Sequence, residues 1–136
     1  MVEKLSPPEL ARKTVETYIT KNIIPEPSDF KVTGVDLEQA GTFVSVKKDT
    51  GDLRGCIGTV MPIKKTIEEE IIGNAISAST KDPRFPAIKA EELDRLVYSV
   101  DVMGKIEPVQ SASDLNPKMY GCIVQSLDGQ RQGLLL

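Results

Sequence analysis

The fold is decided by residues 42–60, TFVSVKKDTGDLRGCIGTV, which predict a β-hairpin. Residues 42–48 alternate enough between apolar and polar side chains to form a strand. The sequence Asp-Thr-Gly-Asp at 49–52 has the residue types of a turn, and the chain should return as a second strand over 53–60. A hairpin pairs its strands antiparallel, so this stretch indicates an antiparallel sheet.

The returning strand carries Leu-Arg-Gly-Cys-Ile-Gly (LRGCIG) at residues 53–58, called the signature below. Because side chains alternate between the two faces of a strand, Arg54 and Cys56 are predicted to point the same way. A cation beside a thiol favours the reactive thiolate, while Gly55 and Gly58 leave bare backbone that a ligand could approach. The signature therefore predicts a functional site. The alternative is a small strand thiol buried in the core, where free cysteines are common.

The composition is that of one globular domain. The chain has 136 residues, of which 40% are apolar and 27% are charged, values typical of a single compact core. Its 17 basic and 20 acidic residues give a formal charge of −3, which disfavours nucleic-acid binding because that function needs a concentrated positive face. No apolar run has the length of a signal peptide or membrane span, so we expect a cytoplasmic protein without a membrane segment.

The sequence contains no histidine. This excludes Ser-His-Asp triads, Cys-His dyads and histidine-containing zinc sites. The two cysteines, Cys56 and Cys122, do not form a CxxC motif and are expected to be free thiols in a reducing compartment. The sequence predicts no metal site and indicates no cofactor. Any catalysis would depend on cysteine, carboxylates, lysine, tyrosine or backbone amides unless a cofactor is borrowed.

Two helices are predicted to pack on the sheet. Ser6 and Glu9 flank a proline pair and form a capping box for a helix that should run to about Asn22. A second pair of this kind, Thr66 and Glu69, opens a helix that ends near residue 80.

Further strands are predicted at 30–32, 96–103, 121–127 and 131–136, with a short helix at 90–93. Strands and helices mix without a regular βαβ repeat, which favours an α+β fold with a mostly antiparallel sheet and packed helices.

Arg84 could join Arg54 in binding an anionic ligand. It lies in the loop Asp82–Pro86, called the proline loop below, which its two prolines make rigid. Two converging guanidinium groups bind a carboxylate or phosphate well. The alternative is that each arginine pairs with an acidic side chain, for example Asp82 or Glu70, and fixes the loop.

Glu70 and Asn74 are weaker candidates on the second predicted helix. They lie four residues apart and share a helix face, and Glu70 could move protons for Cys56 if this helix packs on the hairpin. A solvated polar stripe is the alternative for such a pair.

The sequence resembles the AMMECR domain family along nearly the whole chain, through four motifs: GTFV at 41–44, LRGCIG at 53–58, DPRFP at 82–86 and GLLL at 133–136. The resemblance implies one AMMECR-like domain over 1–136, with a larger and a smaller subdomain and the signature beside the cleft between them. It carries over Arg54, Gly55, Cys56, Gly58 and Arg84 as site residues, with Glu70 and Asn74 as weaker ones.

Two further expectations follow from the resemblance. Prokaryotic relatives are often encoded with a Memo-like protein and a radical SAM protein, which suggests a shared pathway. Family members also continue beyond the position where this chain stops, at Leu136. We therefore expect a C-terminal truncation that leaves a sheet edge or an apolar patch uncovered.

Two functions remain open from the sequence. The first is an accessory domain whose cleft around Arg54 and Cys56 binds a small anionic ligand or a peptide of a partner. The second is a cysteine-dependent enzyme in which Cys56 attacks an electrophile, Arg54 stabilises the thiolate and Glu70 transfers protons.

Overall fold

A computed structural model describes residues 2–103, 122–125 and 132–135. The chain divides into two units, Met1–Gly104 and Lys105–Leu136. The first unit contains, in chain order, β1 (Glu3–Leu5), α1 (Pro7–Lys21), a 3-10 helix (Pro27–Asp29), β2 (Phe30–Val32), β3 (Thr42–Lys48), β4 (Leu53–Gly58), α2 (Ile67–Thr80), a second 3-10 helix (Ala90–Arg95) and β5 (Leu96–Val102). The second unit contains β6 (Cys122–Gln125) and β7 (Gln132–Leu135).

The predicted hairpin is confirmed. β3 and β4 pair antiparallel, and Gly51 has φ 95° in the turn between them, a left-handed conformation that favours glycine. β4 ends at Gly58, two residues before the predicted end at Val60. β5 pairs antiparallel with the other side of β3, which gives a three-stranded sheet of order β4-β3-β5. The fold is therefore α+β with a mostly antiparallel sheet, as predicted.

Both predicted helices are confirmed, with the full predicted capping box at α1 and the Thr66 half of it at α2. The Ser6 hydroxyl accepts a hydrogen bond from the backbone N–H of Glu9, whose carboxylate accepts one from the N–H of Ser6, and α1 follows directly. The Thr66 hydroxyl accepts from the N–H of Glu69 at the start of α2. Such caps satisfy N–H groups that lack partners within the helix.

The core lies between the helices and one face of the sheet. Val44 and Val46 of β3 are fully buried, as are Leu10 of α1 and Ile71 and Ala75 of α2. The intervening Ser45 is half-buried, as the alternation of side chains along a strand requires. The signature strand β4 is thereby held beside β3, with α2 packed against it.

The parallel pair of β1 and β2 was not predicted as a pair. The sequence predicts a strand at 30–32, which is β2. Its partner β1 is only three residues long and is separated from it in the sequence by α1. A carboxylate from α2 supports this small sheet, since Glu68 accepts a hydrogen bond from the N–H of Val32 at 2.9 Å. The predicted short helix at 90–93 is a 3-10 helix over Ala90–Arg95.

In the second unit β6 and β7 pair antiparallel, and both lie inside the strands predicted at 121–127 and 131–136. The turn predicted between them lies outside the described residues. The cleft between two subdomains, the single AMMECR-like domain and its C-terminal truncation stay predictions. In the described part of the chain, neither helix is long and apolar enough to cross a membrane.

Candidate functional site

The Arg54 side chain is buried, and its hydrogen bonds go to other residues of this chain. Its side chain forms two hydrogen bonds with the Glu92 carboxylate, from Nε to Oε1 at 2.8 Å and from Nη2 to Oε2 at 3.0 Å. It also donates to the carbonyl oxygens of Pro86 at 2.8 Å and Ala87 at 3.3 Å. The bidentate ion pair holds the pKa of Glu92 below its ordinary value, although the partial burial of that carboxylate opposes the shift. Arg54 therefore fastens the proline loop and the second 3-10 helix to the signature strand.

The pairing of the two hairpin strands is irregular at Arg54. The pairing of β3 with β4 shifts between Val46 and Lys47, so Arg54 has no residue directly opposite it on β3. A bulge of this kind interrupts the alternation of side chains along a strand. Arg54 and Cys56, predicted to point the same way, form different contacts: Arg54 bonds to residues 86–92, while the Cys56 thiol contacts β3.

Cys56 is half-buried and is held in place through its backbone. Its N–H donates to Asp82 Oδ2 at 3.0 Å, and its carbonyl oxygen accepts from Arg84 Nη2 at 3.3 Å. Its Sγ lies 3.2 Å from the hydroxyl of Ser45, the residue opposite it on β3. The cation bonded directly to Cys56 is therefore Arg84, through the backbone carbonyl.

Asp82 and Arg84 form a rigid pair within the proline loop. Arg84 donates to the Asp82 carboxylate from Nε at 3.0 Å and from Nη2 at 2.8 Å. The Asp82 side chain is 2% exposed and that of Arg84 is 58% exposed. The hydrogen bonds from Arg84, together with those from the two backbone N–H groups, hold the pKa of Asp82 well below its ordinary range despite its burial. Arg84 Nη1 donates to no group in the described residues.

The signature glycines allow close packing within the protein. A Cβ at Gly55 would overlap the carbonyl oxygen of Ala78 on α2. At Gly58 a Cβ would overlap the Phe43 side chain and the Thr42 carbonyl on β3. The backbone that approaches Gly55 therefore belongs to α2 of the same chain. Because Gly55 has no side chain, α2 can lie closer to β4 there than it could beside any other residue.

Glu70 is a buried carboxylate whose partners belong to the loop before α2. Its Oε1 accepts from the backbone N–H groups of Ile63 at 2.8 Å and Lys64 at 3.0 Å, and its Oε2 accepts from the Thr59 hydroxyl at 2.9 Å. No described hydrogen bond joins Glu70 to Cys56. These contacts support a role in fixing the loop, whereas the predicted proton transfer to or from Cys56 has no contact that supports it.

Asn74 extends the same hydrogen-bond network into the sheet. Its Nδ2 donates to the carbonyl and the hydroxyl oxygens of Thr42, both at 2.9 Å, and to the Thr59 hydroxyl at 3.3 Å. Asn74 therefore ties α2 to β3, and the helix stripe that it shares with Glu70 is buried rather than solvated.

Sequence reasoning did not identify the partners Ser45 and Glu92. Ser45 follows from the antiparallel register once the hairpin is placed. Glu92 lies 38 residues from Arg54, and no local pattern links the two. Asp82 was proposed as a partner of Arg84, and its position before the first proline of a rigid loop was the available signal. Within the described residues, no group of three Cys, Asp or Glu side chains is arranged to hold a metal ion.

Comparisons with known proteins place these residues in a family context. A family model described as AMMECR1 matches residues 8–136. A protein of Thermotoga maritima is 44% identical over 126 residues, covering 93% of this chain and 71% of that protein. A protein of Clostridium acetobutylicum is 43% identical over 129 residues, covering 94% of this chain and 27% of that protein. The crystal structure of an uncharacterised protein from Pyrococcus horikoshii matches with a TM-score of 0.74 and 31% identity, over 96% of this chain and 66% of that one.

Proposed function

This chain belongs to the AMMECR1 family, and from that premise we propose that it is an accessory domain that binds a ligand or partner through the Cys56 surface. The Cys56 surface consists of Cys56, Ser45 and Arg84. Its ligand is a carboxylate, either of a small anion or of a peptide. Because the chain spans only part of its relatives, this function is proposed for the domain and not for a whole protein.

The proposal rests on Arg84 Nη1, which donates to no group in the described residues. The rest of this guanidinium is fixed by Asp82 and by the Cys56 carbonyl, so the exposed edge is held in one orientation before any ligand arrives. A guanidinium that is already oriented loses less conformational entropy when it binds a carboxylate. Arg54 contributes indirectly, because its bonds to Pro86 and Ala87 hold the loop in place.

The binding function is better supported than catalysis by Cys56. Glu70, the proposed proton carrier, is bonded to Thr59, Ile63 and Lys64. Asp82 is nearer to Cys56, but its lowered pKa makes it a weak base.

One observation favours the alternative enzyme. The exposed Arg84 guanidinium lies next to Cys56 and donates from Nη2 to its carbonyl oxygen at 3.3 Å. A cation in this position would stabilise a Cys56 thiolate, with Arg84 taking the role first expected of Arg54.

A thermal-shift screen tests the binding proposal. Anionic metabolites, and the Memo-like and radical SAM proteins that the resemblance suggests as partners, are added to the chain and to Arg84→Ala, Cys56→Ser and Arg95→Ala variants. Arg95 is an exposed control arginine. We expect a stabilising ligand to lose its effect in Arg84→Ala while Cys56→Ser and Arg95→Ala retain it. A stabilisation that persists in Arg84→Ala contradicts the proposal.

Alkylation of Cys56 tests the enzyme alternative. In a Cys122→Ala background, a nucleophile should react with iodoacetamide faster in the folded chain than in urea, and Arg84→Ala should slow the reaction several-fold. If the folded chain reacts more slowly than the unfolded one, the enzyme alternative is wrong.

A further inference from the structure

The backbone of Gly58 faces outward from the sheet, beside the Cys56 surface. In an antiparallel pair, alternate residues of a strand turn their N–H and C=O toward the same neighbour. The N–H of Thr59 donates to the carbonyl of Thr42 on β3 at 2.8 Å, whereas the N–H and C=O of Cys56 are bonded to the proline loop. The pairing of the two strands is regular over this part of β4. The N–H and C=O of Gly58 therefore face away from β3, on the same side as those of Cys56.

The two outward groups of Gly58 are called the Gly58 edge below. Within the described residues, neither the N–H nor the C=O of Gly58 takes part in a hydrogen bond. Unpaired backbone groups at the edge of a sheet are a template to which another strand can add, through main-chain hydrogen bonds. The Gly58 edge can therefore pair with one residue of an extended peptide.

The corresponding groups of Cys56 are already occupied. The N–H of Cys56 donates to Asp82 at 3.0 Å, and its carbonyl oxygen accepts from Arg84 at 3.3 Å. Two residues of a strand span about 7 Å. An added strand that pairs with Gly58 and runs toward Cys56 therefore meets the proline loop within two residues. A peptide bound at the Gly58 edge has to end there.

The charge of Arg84 decides which end of the peptide lies at the proline loop. The Arg84 side chain is 58% exposed, and its Nη1 donates to no described group. A guanidinium repels an N-terminal ammonium group and forms charge-assisted hydrogen bonds with a carboxylate. The C-terminus is therefore the favoured end, and a peptide that ends there runs antiparallel to β4.

Phe43 provides an apolar contact at the Gly58 edge. It lies opposite Gly58 on β3, and a Cβ at Gly58 would overlap its ring. Side chains of residues that lie directly opposite each other in an antiparallel pair project from the same face of the sheet. A peptide residue paired with Gly58 thus projects its side chain from the face that carries the half-buried Phe43. An apolar side chain suits this position.

We propose that the Cys56 surface and the Gly58 edge together bind the C-terminus of an extended peptide. The penultimate residue exchanges two backbone hydrogen bonds with Gly58 and places an apolar side chain near Phe43. The terminal carboxylate pairs with Arg84 Nη1. This inference rests on the function proposed above and narrows its ligand from any carboxylate to the C-terminus of a peptide.

Peptide arrays test whether the free C-terminus is required. Random hexapeptides are attached to the support through their N-termini, each once with a free terminal carboxylate and once as the terminal amide. The full chain is the probe. We expect it to bind peptides with a free carboxylate and an apolar penultimate residue, and to bind their amides at least about tenfold more weakly. Equal binding of acids and amides, or no bound peptide, overturns the proposal.

N-methylation of one selected peptide tests the pairing with Gly58 and needs no variant of the protein. Because alternate residues face opposite sides of a strand, the penultimate N–H donates to Gly58 and the antepenultimate N–H does not. In fluorescence anisotropy, methylation of the penultimate nitrogen should weaken binding at least about tenfold. Methylation of the antepenultimate nitrogen should change the affinity less than about threefold. Equal effects at the two positions overturn the proposal.

Two further measurements separate this inference from the function on which it rests. Arg84→Ala should weaken binding of the selected peptide at least about tenfold, and the exposed control Arg95→Ala should leave it unchanged. If citrate or succinate stabilises the chain through Arg84 but no peptide C-terminus binds, the proposed function stands and the inference is overturned. If a peptide C-terminus binds the parent chain and Arg84→Ala equally well, both are overturned.

Discussion

Arg54 Nε lies 2.8 Å from Glu92 Oε1, and this ion pair joins the signature strand to a 3-10 helix 38 residues further along the chain. The Arg54 side chain is 8% exposed and that of Glu92 is 32% exposed. We expect Arg54→Ala to lower the free energy of unfolding by about 2–4 kcal/mol, because it breaks a largely buried pair and leaves two carbonyls without a donor. Urea denaturation measures the change. Arg95→Ala, at an exposed arginine, should stay within about 0.5 kcal/mol, and equal effects for the two variants would contradict a structural role for Arg54.

Gly55→Ala should destabilise the chain by about 2–4 kcal/mol, since its Cβ would overlap the Ala78 carbonyl and neither backbone can move cheaply. Gly73→Ala is the matched control within α2. A Cβ there meets nothing closer than Lys64 Cε at 3.8 Å, so the better helix propensity of alanine should stabilise the chain by about 0.5–1 kcal/mol. Thermal unfolding of both variants measures the difference. Shifts of the melting temperature in the same direction would contradict the expected overlap of the new Cβ at residue 55 with the Ala78 carbonyl.

Glu70→Ala should release the loop that carries Ile63. The variant has no side-chain acceptor, so the N–H groups of Ile63 and Lys64 and the Thr59 hydroxyl lose the carboxylate to which they donate. We expect a loss of about 2–3 kcal/mol in unfolding free energy and faster hydrogen exchange at the Ile63 and Lys64 amides. Glu69→Ala, at the neighbouring half-buried residue, should leave both exchange rates unchanged. Retained protection at both amides in Glu70→Ala would be inconsistent with the described hydrogen bonds.

Asp82 should make the stability of the chain depend on pH in the acid range. Its pKa is lower in the folded state than in the unfolded state, so the folded chain binds this proton more weakly. The stabilisation is therefore fully present above the unfolded pKa of about 4 and is lost as the pH falls below it. At neutral pH, Asp82→Asn should cost about 1–3 kcal/mol, and the difference from the parent chain should shrink below about pH 4. A difference that stays constant through this range would contradict the assignment.

The local elements of the fold could be predicted from the sequence. The caps at Ser6 and Thr66, the alternation in β3 and the turn at Gly51 all depend on residues within one turn or one strand of each other. The pairing of β1 with β2 could not be predicted, because three residues carry too little pattern and their partners lie beyond α1.

The residues that meet at the proline loop stand out in the sequence, but their contacts do not, and their role as a site stays a prediction. Arg54, Cys56 and Arg84 all contact the proline loop or belong to it, as the motifs suggested. That Arg54 and Cys56 point the same way stays a prediction, and the pairing of β4 with β3 is irregular next to Arg54. Partners such as Glu92 are set by tertiary packing, which one sequence does not display.

The bonds from Asp82 and Arg84 to Cys56 also bear on self-association. In the described sheet, β4 is an edge strand, and the N–H and C=O of Cys56 that face away from β3 would be free to pair with a strand of another molecule. The Asp82 carboxylate accepts from this N–H, and the Arg84 guanidinium donates to this carbonyl. The two side chains therefore occupy the places of the acceptor and the donor that a neighbouring strand would supply. The proline loop thus blocks the exposed edge against the edge-to-edge pairing from which aggregates grow.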